Sequence, residues 1–509
     1  MRIVYFDLDT TRADHLGPYG YERDTTPVLD DLASESVVFE NNFASDTPCL
    51  PSRAALFSCR PGISNGVISH ESPGYNFRFP AREGMAKHYP EYKMPMRLLQ
   101  ENGYHTITFS VYAQRHAAWW FNSGFSEVSN PSWPTGHEQT DTINPRVKNW
   151  IKENVKDEED LFLHINYMDA HTPYSTKEEN SHRSIDEECF ERVSRGPLPD
   201  FPDEETIKYH NENVYGPKTA RDIMIRQPDN NYNSPWEYMP DEISNLEEFK
   251  LMLDAYDSEI AKMDKAIGAI LDLLREEEVL DETVIIVSGD HGEAIGEQGM
   301  YFEHGVAVDA VANLPLMVRW PGVTDSGRRC GEMVYQYDFM ATIMDLLDID
   351  IPRNWEARPF TPALCGEEFE GRPYVVYGMG IFTLQRAVRT DDYTYVKTFH
   401  PGPYPYKDRY LFEVGEPEIE SNDLQEKEPE TLAEMEKLYS EWWNDWCMGP
   451  NAVVDPFHLQ TPSFEYFPVE QMFDRLEFLG RDDQIADLKE RLKTRRRQKE
   501  THPFPQSRY

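Results

Sequence analysis

Cys49 heads the stretch Cys49-Leu50-Pro51-Ser52-Arg53-Ala54-Ala55-Leu56, in which small residues and helix formers follow Pro51. A helix starting here places the cysteine near its N-terminus, where unpaired backbone N–H groups favour an anion. Arg53 follows at a fixed offset and offers planar donors to anionic oxygens. Three polar groups close short apolar runs: Asp7 and Asp9, Asp169 and His171, and Asp290 and His291. A free cysteine is ordinarily a small buried hydrophobe. Carboxylates and imidazole gathered around it would instead hold a hard divalent cation, Ca²⁺ or Mg²⁺.

The surrounding elements are suited to gathering these groups. Residues 2–8, 161–167 and 284–287 read as buried strands, and 37–39 and 105–111 as two more. Helices are predicted over 27–36, 94–102 and 246–277, the first capped by Thr25 or Thr26 and the second stopped by Gly103. Alternating strands and helices predict an α/β fold, a parallel or mixed sheet sandwiched by helices. Such sheets bind ligands at the carboxyl ends of their strands, where all three polar groups fall. Residues 175–244 are polar and read as a long excursion over one face, of the kind that often carries function. Beyond about residue 370, short strands are predicted over 374–377, 384–389 and 393–398, with a helix over 428–446. The chain thus divides into an α/β domain over 1–370, a smaller antiparallel subdomain over 371–447, and an extension over 448–509 that ends in a charged helix, 482–497.

With 91 acidic residues against 50 basic ones, the 509-residue chain carries a net charge of −41. That field repels nucleic acid and anionic membranes, so neither is expected as a partner. Arg495, Arg496 and Arg497 read as a solvated helix end. No apolar run reaches the length of a membrane span. The first residues enter a strand without a charged-then-apolar leader, which gives a cytoplasmic expectation. The six cysteines show no CxxC spacing, so reduced thiols are expected rather than a zinc site or a disulfide framework. The same field repels an anionic substrate, and a local cationic pocket must overcome it.

The Cys-x-Pro-Ser-Arg stretch at 49–53 resembles the signature of the type I sulfatases, and the resemblance covers most of the chain. The run Asp9 to Gly20 is similar to the family's first metal motif, with Thr10 where many members have a second Asp. Asp290-His291-Gly292-Glu293 resembles the second metal motif, with His as in the iduronate-sulfatase-like and phosphonate-hydrolase-like members. The run Asp169 to Tyr174 resembles the middle motif, whose His reaches the reaction centre. Segments around Asp338 and Leu346, and around Leu411 and Asp423, are similar to the last large-domain helix and to a turn of the C-terminal sheet.

This resemblance implies an alkaline-phosphatase-like fold and hydrolysis of a sulfate ester on a carbohydrate. It implies that a maturation enzyme oxidises Cys49 to formylglycine. One hydroxyl of the aldehyde hydrate would attack sulfur, and the other would later expel sulfate. With an oxygen on residue 49, the cation ligands would be Asp9, Cys49, Asp290 and His291, with Ca²⁺ preferred over Mg²⁺. Arg53 would support the hydrate, and His171 would offer a proton or a hydrogen bond to the leaving oxygen. Asp7 is read as a supporting residue. The chain lacks both lysines with which members usually grip sulfate, so Arg115, His116 and His304 are the substrate-binding candidates. A phosphonate monoester or phosphodiester hydrolase shares this chemistry and stays open as an alternative, as does a non-catalytic glycan-binding protein. The sugar, the sulfate position and the oligomeric state are left open.

Overall fold

The computed structural model describes the chain apart from residues 71–73, 79–92, 131–138, 173, 175–184, 215–218, 220–237, 241, 325–326, 450–451, 460–472, 475, 478–479 and 490–509. Pro173, much of the 175–244 excursion and the basic run at 495–497 therefore lie outside the described residues.

The central sheet is built from β1 (Arg2–Leu8), β2 (Val37–Phe43), β4 (His105–Phe109), β5 (Glu127–Ser129), β6 (Leu161–Tyr167), β7 (Thr283–Gly289), β10 (Asn313–Arg319), β11 (Arg328–Cys330) and β12 (Val334–Tyr335). The strand order is β11-β2-β10-β7-β1-β6-β4-β5, with β12 also beside β2. Only β10 runs against its neighbours among the described strands, so the sheet is mixed. The side chains of β1 show why helices cover both faces. Val4, Phe6 and Leu8 pack with Leu253, Tyr256 and Ile260 of the long helix Leu246–Glu276. Ile3 and Tyr5 face the other way, onto Leu50, Ala54 and Phe57 of the helix Cys49–Ser58 and Phe339 of the helix Asp338–Leu346. A strand buried on both faces needs no polar alternation, which is why these runs read as continuous apolar segments.

The second sheet holds β13 (Val375–Met379), β14 (Leu384–Arg389), β15 (Tyr393–His400) and β16 (Arg409–Glu413), paired antiparallel. The helix Pro429–Cys447 covers one face through Leu432, Met435 and Tyr439. A further strand, β3 (Asp46–Thr47), joins the sheet parallel to β13. The small sheet thereby fixes the two residues that lead into Pro48 and Cys49. A two-residue strand carries no periodicity, so it left no signal in the sequence. A hairpin of β8 (Ala294–Ile295) and β9 (Tyr301–Glu303) stands apart from both sheets. No helix among the described residues is long and apolar enough to cross a membrane.

Candidate active site

The register of the central sheet sets the level at which its strands end. Leu8 of β1 lies opposite Tyr167 of β6 and Gly289 of β7. Asp9, Asp169, His171, Asp290 and His291 therefore leave the sheet along one edge. Cys49 occupies the first turn of a ten-residue helix whose side chains are all buried. Thr10 makes the turn after β1 with φ 57, a left-handed conformation that a β-branched residue rarely adopts. That conformation is used. The Thr10 N–H donates to Asp290 Oδ1 (3.1 Å), and its hydroxyl donates to Asp9 Oδ1 (2.7 Å). Where many sulfatases have a second Asp, this chain has a residue that orients two others.

Arg53 organises the carboxylates. Its Nε donates to Asp7 Oδ2 (2.7 Å) and its Nη2 to Asp7 Oδ1 (2.9 Å), a bidentate pair. Its Nη1 donates to Asp9 Oδ2 (2.8 Å) and Asp290 Oδ2 (2.5 Å). These bonds occupy four of the five N–H groups of a guanidinium. Arg53, expected to support the hydrate, thus spends these donors on three buried acids, two of which stand beside Cys49. Asp7 is held by Arg53 and by His164 Nε2 (3.2 Å), the supporting place expected of it.

One donor atom each from Asp9, Cys49, Asp290 and His291 lies within 4.8 Å of the others, and all four residues are buried. His291 Nδ1 donates to the carbonyl of Gly292 (2.8 Å), so Nε2 keeps its lone pair and faces Cys49 Sγ at 3.1 Å. Charge is unbalanced at this point. Three carboxylates face one guanidinium. Burial raises the Asp290 carboxyl well above the usual range, against Arg53 and with help from Asp9 and Asp7. Asp9 is also buried, yet the attraction of Arg53 first of all outweighs desolvation and holds it low. A group of oxygen donors with one imidazole lone pair and surplus negative charge fits a divalent cation. Burial, and then the charges of Asp9 and Asp290, push the Cys49 thiol well above its ordinary value.

His171 is placed by two hydrogen bonds. Its Nδ1 lies 2.7 Å from the Thr172 carbonyl, which only accepts, so Nδ1 carries the proton. Nε2 then accepts from Arg115 Nη2 at 2.8 Å. Burial, with Arg115 next in weight, lowers the His171 pKa well below the ordinary histidine value. In this tautomer Nε2 is an acceptor and holds Arg115 in place. His116 lies beside His70, with ring centroids 4.6 Å apart. Both offer a donor atom within 4.8 Å of Cys49 Sγ and of each other. The ring of His304 is 4.4 Å from that of His291 and 5.7 Å from that of His171. Its Nδ1 is 3.3 Å from Glu293 Oε1.

The fold thus gathers Asp9, Cys49, Arg53, His171, Asp290 and His291, with Arg115 against His171, His116 beside Cys49 and His304 beside His291. Sequence reasoning missed His70, Glu303 and the use of Glu293. His70 accepts from the Leu50 N–H (3.3 Å) out of a loop that ends no strand, so nothing local marked it. Glu293 was visible only as the last residue of the Asp-His-Gly-Glu run.

Residues 2–349 match the family described as Sulfatase, and residues 296–408 match the family described as N-sulphoglucosamine sulphohydrolase, C-terminal. An ulvan-active sulfatase of Formosa agariphila is 26% identical over 462 residues, covering 85% of this chain and 81% of its own. An N-acetylglucosamine-6-O-sulfatase of Bacteroides thetaiotaomicron is 21% identical over 411 residues, covering 72% of this chain and 71% of its own. A phosphonate monoester hydrolase of Agrobacterium radiobacter shares the fold, with a TM-score of 0.63 at 18% identity over 86% of this chain and 95% of that one. The architecture is the alkaline-phosphatase-like sandwich, with a smaller C-terminal sheet.

Proposed function

The chain belongs to the sulfatase family, and from that premise we propose that it hydrolyses a sulfate ester carried on a carbohydrate. The observation that carries this reading is the convergence of Cys49, at a buried helix start, with Asp9, Asp290 and His291 within 4.8 Å. The carbohydrate draws its support from the relatives named for ulvan and for N-acetylglucosamine.

Asp9, Asp290, His291 and the side chain at position 49 would hold a divalent ion, Ca²⁺ in our reading, which when bound neutralises a sulfate oxygen and makes the attacking hydroxyl more acidic. Formylglycine, made from Cys49 by a maturation enzyme, supplies as its hydrate one hydroxyl to attack sulfur and a second whose deprotonation expels sulfate. The chain's own residues do the positioning. Arg53 holds Asp9 and Asp290 on one nitrogen and fixes their orientation. The bond from His291 to Gly292 aims its Nε2 at position 49. Arg115, oriented by His171, is the cation we assign to a sulfate oxygen, in place of the absent lysines. His116, beside Cys49, and His304, beside His291, complete the substrate contacts in this reading.

Three outcomes follow at this level. Asp290→Asn is expected to lose the divalent ion on dialysis and with it turnover of nitrophenyl sulfate. Asp7→Asn, which acts through Arg53, should keep the ion with affinity reduced about 10–100-fold. Metal analysis after dialysis checks both, and equal losses would contradict the supporting place given to Asp7. Arg115→Met should retain the ion and lower kcat/KM by roughly 10–100-fold, the scale of one lost hydrogen bond to a charged group. Metal content and kinetics on one preparation decide it.

The experiment that tests the function compares nitrophenyl sulfate with nitrophenyl phenylphosphonate, followed by sulfated mono- and disaccharides. Preference for the sulfate and release of sulfate from a sugar support the reading. Preference for the phosphonate by the converted enzyme would overturn it in favour of the phosphonate hydrolase alternative.

A further inference from the structure

We propose that Glu293, Glu303 and His304 form a second divalent-cation site, adjacent to the group at Asp9, Cys49, Asp290 and His291. One donor atom from each of the three lies within 4.8 Å of the others. His304 Nδ1 is 3.3 Å from Glu293 Oε1 and 3.7 Å from Glu303 Oε2. Glu293 is fully buried, and Glu303 and His304 are each 5% exposed. The hairpin builds the arrangement: Ala294 of β8 pairs with Glu303 of β9, which brings Glu293 alongside Glu303 and His304. The His304 N–H donates to Glu303 Oε2 (2.9 Å) and fixes that carboxylate.

The set is unsatisfied as it stands. Glu293 Oε2 is buried and has no hydrogen-bond partner among the described residues. A buried carboxylate lone pair without a partner is costly, and buried charges are ordinarily paired or bound to a metal. A neutral imidazole has one N–H and cannot serve two carboxylates through one nitrogen. A cation among the three would meet every donor at once. Two carboxylates and one imidazole are a smaller, more nitrogen-containing set than Ca²⁺ favours, and they suit Mn²⁺ or Zn²⁺. With Nδ1 on the cation, the His304 proton sits on Nε2, which makes the ring a donor toward an anionic substrate. That last consequence rests on the sulfatase reading; the cation site does not.

The test uses the full chain after chelation, titrated with Mn²⁺ and read as bound ions per chain. Wild type should bind two ions. Asp290→Asn should bind one, and Glu293→Gln/Glu303→Gln should bind one. A single ion in wild type, or two in the double variant, would overturn the site. Should the double variant not fold, crystals of wild type soaked with Mn²⁺ decide: an anomalous peak among the three side chains supports the site, and its absence beside a peak at Asp9 and Asp290 overturns it. Failure here and failure of the proposed function are separable. The first appears as one bound ion with turnover of nitrophenyl sulfate intact, the second as two bound ions without that turnover.

Discussion

Cys49→Ser is expected to fold as wild type and to lose steady-state turnover of nitrophenyl sulfate by roughly 10⁴-fold or more. The side chain at 49 is buried at the head of a helix whose neighbours differ little between a thiol and a hydroxyl, so packing should survive. The loss has a chemical cause. A serine hydroxyl can attack sulfur, but the product is a sulfate monoester with no second hydroxyl on the same carbon to expel it. Release must then wait for water to attack sulfur in a site built for a different nucleophile. The expected signature is one equivalent of nitrophenol per chain followed by a stall, with a sulfated side chain at position 49 seen in the peptide mass. Steady turnover by Cys49→Ser near the wild-type rate would refute the need for a hydrate.

The second large effect concerns the guanidinium at the centre. Arg53→Met is expected to cost about 3–5 kcal/mol in chelator, because removing one partner of a buried ionic group leaves the others uncompensated. Here the others are Asp7, Asp9 and Asp290, each fully buried. Adding Ca²⁺ should restore only part of the loss. The cation would neutralise Asp9 and Asp290 but leave Asp7 without its bidentate partner. Denaturant midpoints of both proteins, with chelator and with Ca²⁺, check the prediction. A variant as stable as wild type in chelator would show that the three acids do not depend on Arg53.

What was legible in the sequence follows from how far each interaction reaches. Runs such as Leu161–Tyr167 and Leu384–Arg389 are strands within a residue or so of their expected bounds, because burial on the sheet writes itself into consecutive side chains. The placement of Asp9, Asp290 and His291 on one edge followed from strand ends and a parallel sheet, and the registers of β1 with β6 and β7 produce it. The guanidinium clasp was not legible. Arg53 meets Asp290 across 237 residues of chain, and nothing at either position announces the other. Its offset from Cys49 pointed to the nucleophile, and its bonds to the acids could not be read from that offset. His171 was read from its motif position as a source of a proton or a hydrogen bond to the leaving oxygen; its tautomer depends on a neighbouring carbonyl and on Arg115, which only the folded chain brings together. Glu303 and His304 belong to a hairpin too short for periodic patterning, and His70 to a loop.

The central claim is that Cys49 acts only after conversion to formylglycine. It is tested most directly by mass spectrometry of the peptide bearing position 49, in preparations made with and without a maturation enzyme, each assayed for nitrophenyl sulfate turnover. The account predicts that turnover rises in proportion to the fraction of peptide in which sulfur is replaced by oxygen with loss of two hydrogens. Full turnover from protein whose Cys49 is entirely unmodified would contradict it.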